Sequence, residues 1–313
     1  MKCVILLMGL LVGLASADEI GFLYAGGTFT TISDPLATAG TFPQAINGAG
    51  QIVGYYNTAD GGTHGFVDIG GIFTTIDDPF GVVGQTYALG INNAGQIVGF
   101  YTNGGFLDTG GVFTTLIDPA AVAFSGATYA QGINDAGQIV GYHTGIGFDD
   151  VSGTEGFLDT GGTYTTIAYT PASVTDARGI NNSGEIVGTY YNPFSSSPIQ
   201  GFQDIGGTFT TLDYPGAATT DVTGVNNVGQ IVGWYLGSNL EVTNGFLDTR
   251  GTFTTIDYPT ASVTMLNGIN DSGEIVGFAQ TQTPEPSTLL MIFPALLGIA
   301  ASFAWKRSRA SHG

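Results

Sequence analysis

The chain has 313 residues and a formal charge of −19, but four of its six basic residues (Lys2, Lys306, Arg307 and Arg309) lie at the two ends. Residues 18–283 therefore set Arg178 and Arg250 against 24 carboxylates, a net −22, which repels phosphate backbones and anionic lipid and excludes nucleic-acid binding. The single cysteine, Cys3, excludes disulfides and thiolate chemistry once the first residues are removed.

Those first residues have the pattern of a secretory signal over 1–17. Lys2 is followed by an apolar stretch from Val4 to Leu14, and Ala15-Ser16-Ala17 forms a small-residue cleavage site. The apolar run is too short to span a bilayer, so cleavage is expected. With no thiol left, stability must come from a sizeable core.

From residue 18 to about 280 the chain repeats itself. Gly-Phe opens a unit at Gly21, Gly65, Gly105, Gly156, Gly201 and Gly245, at spacings of 44, 40, 51, 45 and 44 residues. A Gly-Gly pair and a Phe-Thr-Thr-Ile run follow, and each unit closes on an Ile-Asn-x-x-Gly-Gln-Ile-Val-Gly string such as Ile91 to Gly99. The alternation reads as four short strands per unit, with hairpin turns at the Gly-Gly pair and at Asn-x-x-Gly. In the sixth unit Arg250 replaces the first glycine, so Gly251 is the residue expected to be left-handed.

Four strands per 40–45 residues is the spacing of propeller blades, and one such unit cannot bury its own sheet. The expected fold is all-β, a β-propeller of six four-stranded blades; an open solenoid or a stack of sheets is the rival. Closure by strand exchange requires a blade frame offset from the sequence repeat.

Both tight turns of each unit fall on one face of such a body, and the longer Pro-containing and inter-unit loops fall on the other. That loop face is the expected binding surface. Aromatic and imidazole side chains after the fourth strand are the candidates there: Tyr56, Tyr101, His143, Tyr191, Trp234 and Tyr235. They could stack on sugar rings, although packing blade on blade is the favoured role.

Catalytic patterns are absent: no His-x-x-x-His pair, no Gly-x-Ser-x-Gly elbow and no phosphate-cradling loop occurs. The carboxylate clusters Asp77, Asp78 and Asp149, Asp150 are what a calcium ion or a glycosidase pair would need. The recurring Asp68, Asp108, Asp159, Asp204 and Asp248, and Asn47, Asn92, Asn134, Asn181, Asn226 and Asn270, sit at turns and are read as turn-stabilising. No cofactor is expected, calcium being the one ion the clusters leave open.

The C-terminus runs from a linker at 281–286, holding Pro284, Glu285 and Pro286, into the uncharged stretch 287–305 and the basic tail 306–313. Nineteen residues as a helix just cross the hydrocarbon core, and the basic tail stays cytoplasmic.

A Pro-Glu-Pro triplet, one apolar span and a short Arg-rich tail, in that order, closely resemble the PEP-CTERM sorting signal. The resemblance covers Thr283 to Gly313. It implies an exosortase-type processing partner, export through the inner membrane, transient anchoring, and a final place at the cell surface or in the exopolysaccharide matrix of a Gram-negative bacterium. The repeat also resembles the extracellular family named for a His-Ala-Phe motif, although only His64-Gly65-Phe66 keeps the histidine. An exported, non-catalytic surface or biofilm-matrix protein in adhesion, scaffolding or exopolysaccharide association is the leading expectation. A glycan- or calcium-binding propeller lectin is the alternative, and a secreted glycoside hydrolase the third.

Overall fold

The computed structural model describes residues 18–281 except 83, 103, 124–125, 145–153, 170–173, 192–198 and 239–241. The signal cleavage residues Ala15 and Ala17, the sorting residues Pro284, Glu285 and Pro286, the span 287–305 and the pair Asp149, Asp150 lie outside it. Among the described residues no helix is long and apolar enough to cross a membrane.

The alternating segments form strands in the predicted order. β1 (Asp18–Ala25) and β2 (Thr28–Ile32) precede blade 1, made of β3 (Thr41–Ile46), β4 (Ile52–Asn57), β5 (Thr63–Ile69) and β6 (Ile72–Ile76). Blade 2 is β7 (Thr86–Ile91), β8 (Gln96–Tyr101), β9 (Gly104–Thr109) and β10 (Val112–Leu116), after which α1 (Pro119–Ala123) makes a single turn. Blade 3 is β11 (Thr128–Ile133), β12 (Gln138–His143), β13 (Glu155–Thr160) and β14 (Thr163–Ile167). Blade 4 is β15 (Val174–Ile180), β16 (Glu185–Tyr191), β17 (Gln200–Ile205) and β18 (Thr208–Thr211). Blade 5 is β19 (Thr219–Val225), β20 (Gln230–Leu236), β21 (Thr243–Thr249) and β22 (Thr252–Ile256).

The last two strands, β23 (Ala261–Ile269) and β24 (Ile275–Thr281), are completed by the first two in the order β23-β24-β1-β2. The strands of this sixth blade pair with those of blade 5 at one parallel position, Thr243 with Val263. The blade frame is thus offset by two strands from the sequence repeat, and the N-terminus closes the ring. The fold is a β-propeller.

Its core lies between blades. The phenylalanine of each Gly-Phe (Phe22, Phe66, Phe106, Phe157, Phe202 and Phe246) is fully buried. Each packs in a cluster drawn from two adjoining blades, as Phe202 does with Val140 and Ile167 of blade 3 and Ile180 and Ile186 of its own. Burying one such ring contributes roughly 1.5–3 kcal/mol, and none could be buried by a lone blade.

The innermost strand of every blade carries a bulge, for example between Ala88 and Gly90. It drives a carbonyl against the glycine of Ile-Val-Gly: a Cβ on Gly99 would sit 1.9 Å from the Tyr87 carbonyl oxygen. That contact, more than turn freedom, explains the invariant spelling of the string within this chain.

At the outer hairpin the structure corrects the expectation for Arg250. Both central positions are left-handed, Arg250 at φ 56° and Gly251 at φ 84°, matching Gly70 at 62° and Gly71 at 88°. The aspartate before the turn holds it closed, with Gly71 N donating to Asp68 Oδ1 at 2.7 Å and Gly111 N to Asp108 Oδ1 at 2.7 Å.

The recurring asparagines do more than shape a turn. Asn134 Oδ1 accepts from the backbone of Ala136 and Gln138, and its Nδ2 donates to Gln138 Oε1 at 2.8 Å and to the Asn181 carbonyl of the next blade at 3.1 Å. The same inter-blade bond joins Asn47 to Asn92, Asn92 to Asn134, Asn181 to Asn226, Asn226 to Asn270 and Asn270 back to Asn47. A closed circle of hydrogen bonds therefore surrounds the axis. Asn134→Ala removes one buried and three partly buried bonds and leaves the Asn181 carbonyl short of one, so it should cost about 2–4 kcal/mol in urea unfolding. A loss below 0.5 kcal/mol would show the circle to be incidental.

Candidate functional site

The innermost strands surround a central cavity of about 160 Å³. Each blade contributes one side chain from the middle of that strand: Gln44, Leu89, Gln131, Arg178, Thr223 and Asn267. Three of them tie neighbouring blades together: Thr223 Oγ1 donates to the Leu266 carbonyl at 2.7 Å, Asn267 Nδ2 to the Pro43 carbonyl at 2.8 Å, and Arg178 to Asp221.

The asparagine circle lies at the tight-turn end. At the loop end each inner strand begins with a buried threonine that anchors the incoming loop. Thr41, Thr86, Thr128, Thr175, Thr220 and Thr264 accept through Oγ1 from the backbone of Asp34, Asp78, Asp118, Tyr169, Tyr214 and Tyr258. These repeated bonds fix where the next residue of each inner strand stands.

That next residue and its partner on the second strand form six cross-strand pairs around the loop-side mouth. They are Phe42 with Tyr55, Tyr87 with Phe100, Tyr129 with Tyr142, Asp176 with Thr189, Asp221 with Trp234 and Met265 with Phe278. Blades 1, 2 and 3 make stacked ring pairs at 4.9, 4.6 and 4.7 Å. Edge-to-face contacts join them across blades: Phe42–Phe278 at 5.4 Å, Tyr55–Tyr87 at 5.0 Å and Phe100–Tyr129 at 4.9 Å. Seven rings thus run without a break over half the circumference.

The hydroxyls of Tyr55, Tyr87, Tyr129 and Tyr142 make no hydrogen bond with any described residue, although all four rings are half-buried. Burial, then Tyr87 and Glu19, push the Tyr55 phenol up to about 12. Burial, then Asp176 and Tyr129, push Tyr142 up as well, with Tyr191 adding to the shift. A phenol hydroxyl can donate as well as accept.

The arc ends beside an arginine held between two aspartates. Arg178 Nε donates to Asp176 Oδ2 at 2.8 Å and its Nη1 to Asp221 Oδ1 of the next blade at 2.8 Å. Asp221 is 5% exposed; burial raises its carboxyl to about 6, with Arg178 opposing and Asp176 adding to the rise. Asp176 Oδ1 is enclosed and has no hydrogen-bond partner.

The sequence candidates divide around this layer. Trp234 belongs to it, and Tyr191 lies close enough to Tyr142 to act on its phenol. The others sit one position further along the second strand, where side chains enter the blade interfaces. Tyr56 is 3% exposed, bonds Thr75 Oγ1 at 3.1 Å and stacks on His64. Tyr101 packs into the core between blades 1 and 2, and Tyr235 stacks on Tyr214 at 3.7 Å with its hydroxyl on Thr255. His143 is 3% exposed, with Nδ1 2.9 Å from Asp118 Oδ2 but at an angle that makes no hydrogen bond. The second-strand column in this layer is therefore Tyr55, Phe100, Tyr142 and Trp234, one residue earlier than the column singled out from sequence.

Asp77 pairs with His64 Nδ1 at 2.9 Å, while Asp78 is buried, is raised by that burial, and accepts from Phe80 N at 2.8 Å. Among the described residues no three His, Cys, Asp or Glu side chains converge as a metal site would require.

No protein-family model matches the chain, and no curated protein matches it. Among solved structures, a putative TolB from Agrobacterium tumefaciens is similar at a TM-score of 0.50 and 12% identity, over 86% of this chain and 100% of that one. That likeness concerns the fold alone. A fungal lectin from Aleuria aurantia, described as a six-bladed β-propeller with a fucose recognition mode, is similar at a TM-score of 0.44 and 11% identity, over 78% and 96%. AofleA from Arthrobotrys oligospora is similar at 0.46 and 13%, over 77% and 79%.

The raised carboxyl of Asp221 has a measurable consequence. Because the folded protein binds this proton more readily than the unfolded chain, the contribution is most favourable below pH 3.8 and is lost as pH rises through about 6. A shift of that size corresponds to about 2–3 kcal/mol. The stability of Asp221→Asn relative to the unsubstituted protein, from urea unfolding, should therefore rise by about that amount between pH 4 and pH 7. A difference independent of pH would contradict the burial of this carboxyl.

Proposed function

We propose that this chain is an exported, non-catalytic glycan-binding propeller whose ligand site is the loop-side mouth of its central channel. The observation that carries this reading is the unbroken half-circle of rings from Phe278 to Tyr142, four of whose phenol hydroxyls make no hydrogen bond with any described residue. A pyranose presents apolar C–H faces and a rim of hydroxyls, and an arc of rings with free phenols offers matching surfaces to both. The position suits binding too, since the loop face is set on a rigid scaffold.

Hydrolysis fits less well. A glycosidase needs a raised acid and a second carboxylate facing each other across the scissile bond. Asp221 and Asp176 are the two carboxylates of the mouth, but the Arg178 guanidinium lies bonded between them, where that bond would stand.

Binding is tested on a glycan array with the full chain, purified in a detergent without sugar. Saturable binding to one glycan class, with no release of reducing ends, is expected. Tyr87→Phe, Tyr129→Phe and Tyr142→Phe together keep the ring packing and should weaken binding about tenfold or more, each lost hydroxyl contributing about 0.5–1.5 kcal/mol. Undiminished affinity would remove the mouth as the site.

The sorting reading stands on the C-terminal resemblance: an exosortase-type enzyme processes the tail, and the propeller ends at the cell surface or in the matrix, where exopolysaccharide is the partner. Changing Pro284, Glu285 and Pro286 to alanine should leave a full-length, membrane-retained species on immunoblots of fractionated cells. A processed product from that variant would refute it.

A further inference from the structure

We infer that the ligand of this mouth carries a protonated primary amine, so that its class is a glycan with free amino sugars; this rests on the glycan reading above. Arg178 gives one hydrogen bond to each neighbouring aspartate and leaves both short of partners. Asp221 has its side chain 95% buried, yet Oδ2 makes no hydrogen bond with any described residue. Asp176 Oδ1 is enclosed and equally unpaired. An enclosed carboxylate oxygen without a donor is costly, and Asp176 Oδ1 is one, beside a guanidinium that Asp176 shares with Asp221.

The bracket therefore keeps one negative charge in excess and lacks donors. An ammonium group supplies three donors and the missing charge. It is also attracted to ring faces, and Tyr142 and Trp234 stand on the two sides of the bracket.

Other ligand classes fit worse. A calcium ion wants six to eight oxygens at roughly 2.3–2.6 Å, whereas the guanidinium holds these two carboxylates apart. Uronate or sulfated glycans meet a body of net −22 whose channel cation is already paired twice. A neutral glycan could use the phenols but would leave the excess charge unanswered. The ring arc beside the bracket favours a pyranose bearing the amine over an extended lysine side chain.

The test is titration calorimetry of the full chain with β-linked hexamers of glucosamine, N-acetylglucosamine and glucose, and with hexalysine. The glucosamine hexamer should bind at least tenfold tighter than the other three. Asp221→Asn should reduce that advantage below threefold while the melting transition remains cooperative, and Asp176→Asn should act in the same direction. If either variant fails to fold, the ranking on the unsubstituted protein decides alone. Equal affinity for the three glycans would overturn the amine inference and leave glycan binding intact. Hexalysine binding as tightly as the glucosamine hexamer would overturn it in favour of a peptide. Failure of all three hexamers together with a blank array would remove the glycan reading itself.

Discussion

The ring depends on what one asparagine per blade must satisfy. The side-chain amide has two donors and a carbonyl oxygen that accepts twice, and in Asn47, Asn92, Asn134, Asn181, Asn226 and Asn270 all of these are used. Three of the bonds shape the tight turn and explain its spelling: the fifth residue is Gln51, Gln96, Gln138 or Gln230, and in two blades Glu185 or Glu274, because an acceptor must stand there. The fourth bond crosses to the next blade. A blade out of the ring would leave one donor and one carbonyl without partners, beside a phenylalanine with nothing to cover it. Turn formation and ring closure are therefore satisfied by the same atoms, and neither is complete alone.

This coupling divides each repeat into fixed and free positions. Phenylalanine after the first glycine, glycine after Ile-Val, threonine at the start of the inner strand and asparagine at its end each meet a contact that neighbouring blades duplicate. The residue just after the inner threonine is under no such demand. Phe42, Tyr87, Tyr129, Asp176, Asp221 and Met265 occupy equivalent places, and their backbones pair in the same way while their side chains range from aromatic to acidic to thioether. Within one chain, the column that varies in chemistry on an invariant backbone is where six similar blades become an asymmetric mouth.

Much of the architecture was legible because its causes are local or periodic. Gly-Phe spacing, alternation and the Gly-Gly pair specify four strands per unit, and an absent spare strand implies the two-strand offset that β1 and β2 make on β24. The left-handed Arg250 was not legible: hairpin twist demands positive φ at both central positions, and the arginine obscures that demand where five glycines display it. Nor was the reach of the asparagines, because a side chain that stabilises its own turn gives no sign in sequence of a second bond to a carbonyl 42 residues away, as Asn92 makes.

The residues of the mouth layer stand one position before the sequence candidates, for a related reason. Two adjacent aromatics, as in Tyr55-Tyr56, point to opposite faces of a strand, and sequence does not say which face a neighbouring blade covers. In a radial sheet the answer depends on the loop that precedes the inner strand. Where that loop supplies Tyr214 or Tyr169, the ring packs against Tyr235 or Tyr190; where it supplies Asp118, it meets His143. The second aromatic is thus taken up by a partner about 20 to 25 residues earlier. The first faces the axis, where only other rings or the Asp176–Arg178–Asp221 bracket meet it. Comparing the preceding loop with the strand-end residue, blade by blade, is the sequence signal that separates the two columns.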